Sequence, residues 1–203
     1  ALADYPTIAA GNANIAAVTA VTGVAATDPS TMTVVGTNYT GATTFTTDGS
    51  TGLTNFAGLA AGQTANMDGG SGGMGAAYGA TVTSAALGIT GGTTAGAVTL
   101  TGAAVTSTTI TAGGKTNTVG AIDLAASTTV TIDAATKLTA TSVDTTATSG
   151  SLTITGAGAV NIGALDNGFV TVNAAGNSGG VTMTAPADSP NASITLSTGN
   201  DVF

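Results

Sequence analysis

Four aspartates are the residues whose type and spacing first indicate chemistry. Asp144, Asp166 and Asp188 are evenly spaced, and Asp201 follows in the short stretch Gly-Asn-Asp-Val-Phe that ends the sequence. Carboxylate oxygens are hard ligands of the kind that Ca²⁺ prefers, and glycine permits the tight turns that surround such a site. We therefore predict that Asp144, Asp166, Asp188 and Asp201 supply oxygen ligands to calcium.

The charge of the chain points the same way. The sequence has ten acidic residues and two basic ones, Lys115 and Lys137, which gives a formal net charge of −8. Such a surface attracts divalent cations as counter-ions. Two lysines cannot supply the many phosphate contacts that nucleic-acid affinity requires, so nucleic acid is excluded as a partner.

The chain is poor in the groups that carry catalysis. It contains neither His nor Cys, and these residues supply most acid–base, nucleophilic and transition-metal chemistry. Asp123 and Asp133 could face Lys137 and form an acid–base group with it. An ion pair exposed to solvent on a turn is the simpler interpretation. We therefore predict a protein that is not an enzyme.

Short alternating runs must form the elements that position these aspartates. Aliphatic residues alternate with Thr, so one face of each run is buried and the other carries hydroxyl groups, as in a β-strand. Clusters of Gly, Asn, Asp and Ser separate the runs, as turns do. The clearest runs are Val98–Thr101 and residues 130–132, 152–154, 170–172, 181–183 and 194–196.

The runs repeat at a constant interval. Ile110, Ile132 and Ile154 share one spacing, and so do the pairs Leu100/Ile122, Val130/Leu152, Leu138/Val160 and Val172/Ile194. A constant offset predicts a parallel β-solenoid in which each turn, or rung, takes about 22 residues and equivalent side chains stack. The alternative is an antiparallel β-sandwich, since short strands separated by frequent turns also describe that fold.

Two regions differ in regularity. Residues 96–203 are predicted to be the β-solenoid repeat region, and residues 1–95 an irregular β-rich region in which the segment 1–22 would serve as an assembly arm. The hydrophobic fraction of 42% consists largely of Ala, so the predicted core is thin. The sequence has no run of 18 apolar residues, and we predict no transmembrane segment.

The C-terminal half resembles a known class of surface proteins. Residues 165–182 read LDNGFVTVNAAGNSGGVT and lead on to STGNDVF at 197–203. This stretch resembles the β-strand-repeat regions of RTX-linked S-layer proteins and large adhesins of Gram-negative bacteria, and the final residues match part of their calcium-binding nonapeptide. The resemblance implies type I export, an extracellular position on the bacterial cell surface and assembly into a lattice or fibre.

Composition, repeat and resemblance together predict a structural protein. Its partners would be copies of itself, joined by stacking or edge contacts with calcium neutralising the carboxylates between them. The alternative function is a binding module, either an adhesin for surface polysaccharide or an ice-binding solenoid. The candidate contact residues for that alternative are the regularly spaced threonines Thr99, Thr101, Thr131, Thr153 and Thr171.

Overall fold

The alternating runs form β-strands. The computed structural model describes residues 19–27, 30–184 and 192–203. Apart from a single 3-10 turn at Gly36–Asn38, its regular elements in these ranges are strands. They are β1 (Ala20–Val24), β2 (Thr31–Val35), β3 (Thr44–Asp48), β4 (Leu53–Leu59), β5 (Thr64–Asp68), β6 (Met74–Tyr78), β7 (Ser84–Thr90), β8 (Val98–Thr101), β9 (Ser107–Ala112), β10 (Asn117–Asp123), β11 (Thr129–Ala134), β12 (Leu138–Asp144), β13 (Gly150–Gly156), β14 (Val160–Leu165), β15 (Phe169–Asn177), β16 (Val181–Met183) and β17 (Ser193–Thr195).

The strands alternate between two parallel sheets. The odd-numbered strands form a nine-stranded sheet, here called sheet A, in the order β1-β3-β5-β7-β9-β11-β13-β15-β17. The even-numbered strands form the eight-stranded sheet B in the corresponding order. Each rung therefore contributes one strand to each sheet. This arrangement confirms the predicted parallel β-solenoid, with about 22 residues in each rung, and not the antiparallel sandwich.

The predicted interval sets the register through most of the second half. Ile132 pairs with Ile110 on one side and with Ile154 on the other. Leu138 pairs with Val160 at the same spacing. The predicted pairing of Leu100 with Ile122 is wrong, because Ile122 pairs with Val98. The chain from Thr99 to Ser107 is longer than the equivalent chain of the next rung, and the extra residues displace this register.

The core is one continuous cluster of buried side chains between the two sheets. Phe45, Phe56 and Phe169 are fully buried, and the rings of Phe45 and Phe56 pack with centroids 5.8 Å apart. In the rungs between Phe56 and Phe169, aliphatic side chains stack on one another rung by rung. A core built from small side chains depends on close packing of equivalent residues, as the composition predicted.

Buried polar side chains fix the turns. Asn117 is fully buried, and its Oδ1 accepts hydrogen bonds from the backbone N–H groups of Gly92 and Thr93 at 3.2 and 3.0 Å. Its Nδ2 donates to the carbonyl oxygens of Gly113 and Lys115 at 3.0 and 2.7 Å. One side chain thus supplies hydrogen-bond partners to backbone groups of two successive turns. Its own buried oxygen and nitrogen atoms are paired at the same time, as is usual for buried polar groups.

The stack extends across the regions distinguished in the sequence. Both sheets continue through residues 95 and 96, which lie between β7 and β8. Most of the predicted assembly arm, residues 1–22, lies outside the described residues, and its last three residues belong to β1. At the other end, Leu196 and Phe203 are 52% and 49% exposed, because no described rung covers that side of the stack.

Candidate functional site

A column of carboxylates follows one long edge of the solenoid. Asp123 ends β10 and Asp144 ends β12, and the two residues are paired in register. Asp166 follows β14 directly, and its backbone N–H donates to the carbonyl oxygen of Val143 at 3.1 Å. Because neighbouring strands lie about 4.8 Å apart, each of these three residues is one strand spacing from the next along the backbone. We call this side of the solenoid, where sheet B strands lead into sheet A, the acidic edge.

The carboxylates of the acidic edge do not share the same environment. Ser142 donates its hydroxyl to Asp144 Oδ2 at 2.6 Å, and the Gly168 N–H donates to Asp166 Oδ1 at 2.7 Å. Burial raises the pKa of Asp123, and the negative charge of Asp144 and a hydrogen bond with it raise that pKa further. Both burial and the neighbouring charge therefore oppose ionisation of Asp123.

A groove of about 480 Å³ runs along the acidic edge. It is open to solvent and crosses several successive rungs, so its wall repeats the same residue types. Carboxylate and hydroxyl oxygens lie beside short aliphatic groups on this wall, so both charged and apolar surface faces the groove. The lining residues are Thr99, Leu100, Thr101, Asp123, Leu124, Ala125, Asp144, Thr145, Thr146 and Asp166.

The four predicted calcium ligands are distributed over three places. Asp144 and Asp166 lie together on the acidic edge, as their spacing predicted. Asp188 lies outside the described residues. Asp201 lies at the opposite edge, in the turn after β17. Across the described ranges, no group of three or more carboxylates is close enough to hold a metal ion, so calcium remains a proposal.

Asp201 stabilises the turn that contains it. Its Oδ1 accepts hydrogen bonds from the Val181 N–H at 2.8 Å and from the Ser197 hydroxyl at 2.6 Å, and its Oδ2 accepts one from the Ser197 N–H at 2.9 Å. The hydrogen bond from the Ser197 hydroxyl lowers the pKa of Asp201, and the two backbone N–H groups lower it further against an opposing effect of burial. This carboxylate joins the last rung to the rung before it.

The two lysines of the chain lie at the edge opposite the carboxylate column. Lys115 lies in the turn between β9 and β10, and Lys137 lies in the turn between β11 and β12. The carbonyl oxygen of Lys137 accepts the Asn117 N–H at 2.9 Å, which holds the two turns against each other. Both side chains are exposed. We call this side, where sheet A strands lead into sheet B, the lysine edge.

The ion pair of Lys137 with Asp123 or Asp133 is not formed. Asp123 ends β10, whereas Lys137 lies beside the residues that precede β10, so the two are about 20 Å apart along the strand. Asp133 accepts a hydrogen bond from the Thr155 hydroxyl at 3.3 Å on the outer face of sheet A. Within the part of the chain that the structure describes, neither lysine has an ion-pair partner.

Hydroxyl groups form ordered columns on the outer face of sheet A. One column is continuous over six strands, and it consists of Ser84, Ser107, Thr129, Ser151, Thr171 and Ser193. The neighbouring column stacks Thr109, Thr131 and Thr153 in register. Of the five threonines singled out in the sequence, Thr131, Thr153 and Thr171 lie on this face, whereas Thr99 and Thr101 lie on sheet B.

Sequence reasoning missed two parts of these surfaces. Asp123 belongs to the carboxylate column although its offset to Asp144 is 21 and not 22, because β10 and β12 pair with that shorter register. The serines of the hydroxyl column were missed because the predicted contact surface included only threonines. Ser151 precedes Thr153 by the strand period of two, and this alternation would have found it.

The comparisons with known proteins add no relative. No family model, curated protein or solved structure matches this chain. In the described ranges, the structure contains no helix with the length and hydropathy needed to cross a membrane.

Proposed function

We propose that this chain is a structural component of a bacterial extracellular surface, where it assembles with copies of itself into a lattice or fibre. The observation that carries the proposal is the parallel register of the strands, which repeats the outer side chains from rung to rung. Such a surface presents the same groups at regular intervals along its length. A second copy can therefore match many equivalent groups at once, and many weak contacts then act together.

The proposed role is architectural and not enzymatic. The backbone hydrogen bonds of the two parallel sheets hold the outer side chains at fixed positions. The contact surface is therefore already ordered in the unbound chain. A pre-organised surface loses little conformational freedom on association. This property suits a protein whose task is to hold shape and to join identical neighbours.

Calcium is the proposed counter-ion of the acidic edge. Asp144 and Asp166 lie one strand spacing apart, and Asp166 has an oxygen atom beyond the one that the Gly168 N–H engages. A divalent cation at this step of the column would neutralise two repelling carboxylates and fill its remaining positions with water or groups of a neighbouring copy.

Electron microscopy of the purified chain tests this function. The protein is imaged over a range of concentrations, once with calcium and once with a chelator. We expect ordered sheets or filaments with calcium and fewer of them with chelator. Dispersed particles at every concentration in both conditions would contradict the proposed assembly, whereas equal assembly in both would contradict only the role of calcium.

A second candidate function is an ice-binding or polysaccharide-binding module. The hydroxyl columns of sheet A favour it, because they set hydroxyl groups about 4.8 Å apart across strands and about 6.6 Å apart along them. A flat array of this kind can order a layer of water or follow a sugar chain. A thermal-hysteresis assay on the wild-type chain and on Thr131→Lys tests the ice-binding form, with Thr139→Lys on sheet B as the matched control. No hysteresis in the wild-type chain would exclude it.

A further inference from the structure

Two consecutive rungs carry opposite charges at their two edges. In the rung formed by β9 and β10, Lys115 lies two residues before β10 and Asp123 ends that strand. In the rung formed by β11 and β12, Lys137 lies one residue before β12 and Asp144 ends it. Each sheet B strand of this pair therefore runs from a lysine to an aspartate, across about 23 Å.

Within residues 19–27, 30–184 and 192–203, these charges lack opposite partners. Both lysine side chains are exposed, and neither has an ion-pair partner in the described ranges. On the acidic edge Asp123 faces another carboxylate, that of Asp144. The repulsion in this column and the unpaired lysines on the other side leave both edges able to gain from an external counter-charge.

Translation of one copy along the sheet B strands brings the two edges together. The acidic edge of the first copy then faces the lysine edge of the second, with Asp123 at the level of Lys115 and Asp144 at the level of Lys137. Both pairs match without a shift along the solenoid axis, because each pair belongs to a single rung. The flexible lysine side chain absorbs the difference of one residue between the two lysine positions.

We propose that copies of this chain join side by side, with Lys115 and Lys137 of one copy bound to Asp123 and Asp144 of the next. This inference deepens the proposed function, on which it rests, by naming the contact. The interface is heterologous, since it joins two different edges, and a heterologous contact made by translation continues into an open row. The row would be one direction of the lattice.

The other charges of these edges leave this pairing in place. On the lysine edge, Asp48 and Asp68 end β3 and β5, which lie at least two strands of sheet A away from β9. Asp201 is held by three hydrogen bonds within its own turn and the rung before it, and Asp133 accepts the Thr155 hydroxyl on the face of sheet A. On the acidic edge, Asp166 lies in the next rung, where Ala159 takes the place of a lysine. Asp166 therefore has no lysine partner in this contact, and a calcium ion between Asp166 and Asp144 would share the Asp144 carboxylate with Lys137 of the neighbouring copy.

A charge-exchange experiment tests the contact. In the rungs of β10 and β12, K115E/K137E carries acidic groups on both edges. In the same two rungs, D123K/D144K carries lysines on both edges. We expect each variant alone to need at least about a tenfold higher concentration before light scattering reports assembly, because like charges then face each other. An equal mixture restores the complementary pairs at every contact, so we expect it to assemble like the wild type, with calcium and with chelator.

The matched control is D48K/D68K. It makes the same change in net charge as D123K/D144K, also in two neighbouring strands, but at exposed positions of the lysine edge outside the proposed pairs. We expect it to assemble at the wild-type concentration, and far-UV circular dichroism confirms that every variant is folded.

The outcomes separate this contact from the general function. If the wild type assembles and the variants assemble equally well alone, the edge contact is wrong and self-assembly stands. If the variants fail and their mixture also fails, lysine–aspartate pairing is likewise wrong. A wild type that stays monomeric contradicts both proposals.

Discussion

Asp123 and Asp144 lie directly beside each other in the parallel strands β10 and β12, so two carboxylates of like charge share one edge of the solenoid. The parallel register makes this proximity unavoidable, because equivalent residues of successive rungs are always neighbours. A solenoid therefore multiplies whatever a single position carries. Here it multiplies negative charge on one edge, aliphatic groups in the core and hydroxyl groups on sheet A.

The first prediction concerns the pH dependence that Asp123 creates. Its pKa in the folded chain is raised by burial and by Asp144, so the folded state holds a proton that the unfolded state releases at lower pH. The stabilising contribution of the protonated Asp123 is complete below the ordinary pKa of Asp, about 3.9. It is lost as the pH rises through the raised pKa of the folded state. We expect Asp123→Asn to increase the free energy of unfolding at pH 7 and to flatten this part of the pH profile.

Urea unfolding between pH 3 and 7 measures this effect, and Asp133→Asn is the matched control on sheet A. Asp133 lies outside the carboxylate column, so its substitution should not reproduce the stabilisation at pH 7 that is expected of Asp123→Asn. A wild-type profile that Asp123→Asn does not alter would show that the carboxylates are not coupled.

The second prediction concerns Asp201 and has the opposite sign. Its pKa is lowered by the Ser197 hydroxyl and by backbone N–H groups, so its contribution to stability is present above the ordinary pKa of Asp and is lost as the pH falls through the lowered value. We expect Asp201→Asn to destabilise the chain at pH 7 and to have less effect in acid. Hydrogen exchange at the Val181 amide, which donates to Asp201, reports the loss locally. Unchanged protection of that amide would contradict the structural role.

The third prediction concerns the core stack of isoleucines. Ile132 is fully buried between Ile110 and Ile154, so Ile132→Ala leaves a cavity that the fixed backbone ladders cannot close. We expect a loss of about 2–5 kcal/mol in the free energy of unfolding. Thr131→Ala, on the outer face of the same strand, should change it by less than about 0.5 kcal/mol. Equal effects of the two substitutions would contradict the inward and outward assignment of this strand.

The fourth prediction concerns a glycine at the end of β13. Gly156 has a φ of +97°, and a Cβ atom there would collide with the carbonyl oxygen of Ala134 in the preceding rung. We expect Gly156→Ala to cost about 1–3 kcal/mol, since both the backbone conformation and the contact oppose it. Gly113→Ala meets no atom closer than 4.0 Å and should be neutral or slightly stabilising. Thermal unfolding of both variants distinguishes them, and a neutral Gly156→Ala would contradict the close approach of the rungs.

Much of the fold could be predicted because equivalent residues of successive rungs recur at a nearly constant sequence interval. The isoleucines at 110, 132 and 154 gave both the strand type and the rung length, and the structure pairs them as predicted. The pairing of Ile122 could not be predicted in the same way. It depends on the chain between Thr99 and Ser107, which is longer than its equivalent in the next rung and buries Val105. Connections vary in length without changing the alternation that marks a strand.

The surfaces were harder to predict than the core. The even spacing of the aspartates places Asp144 beside Asp166, but it does not say which edge of the solenoid a residue lies on. Asp201 was predicted to be a calcium ligand because of the Gly-Asn-Asp-Val-Phe stretch around it. Its carboxylate instead lies at the opposite edge and accepts hydrogen bonds within its own turn. The relation of Lys115 to Asp123 within one rung is visible only when strand direction is known, because it joins the two ends of β10.

Electron diffraction from assemblies of the purified chain tests most directly the claim that whole solenoids lie side by side. Parallel strands repeat about every 4.8 Å along the solenoid axis. We predict a reflection at this spacing that is perpendicular to the rows of subunits, since the rows run along the strands of sheet B. A reflection parallel to the rows would mean that copies stack end to end, and the absence of ordered assemblies at any concentration would contradict the account as a whole.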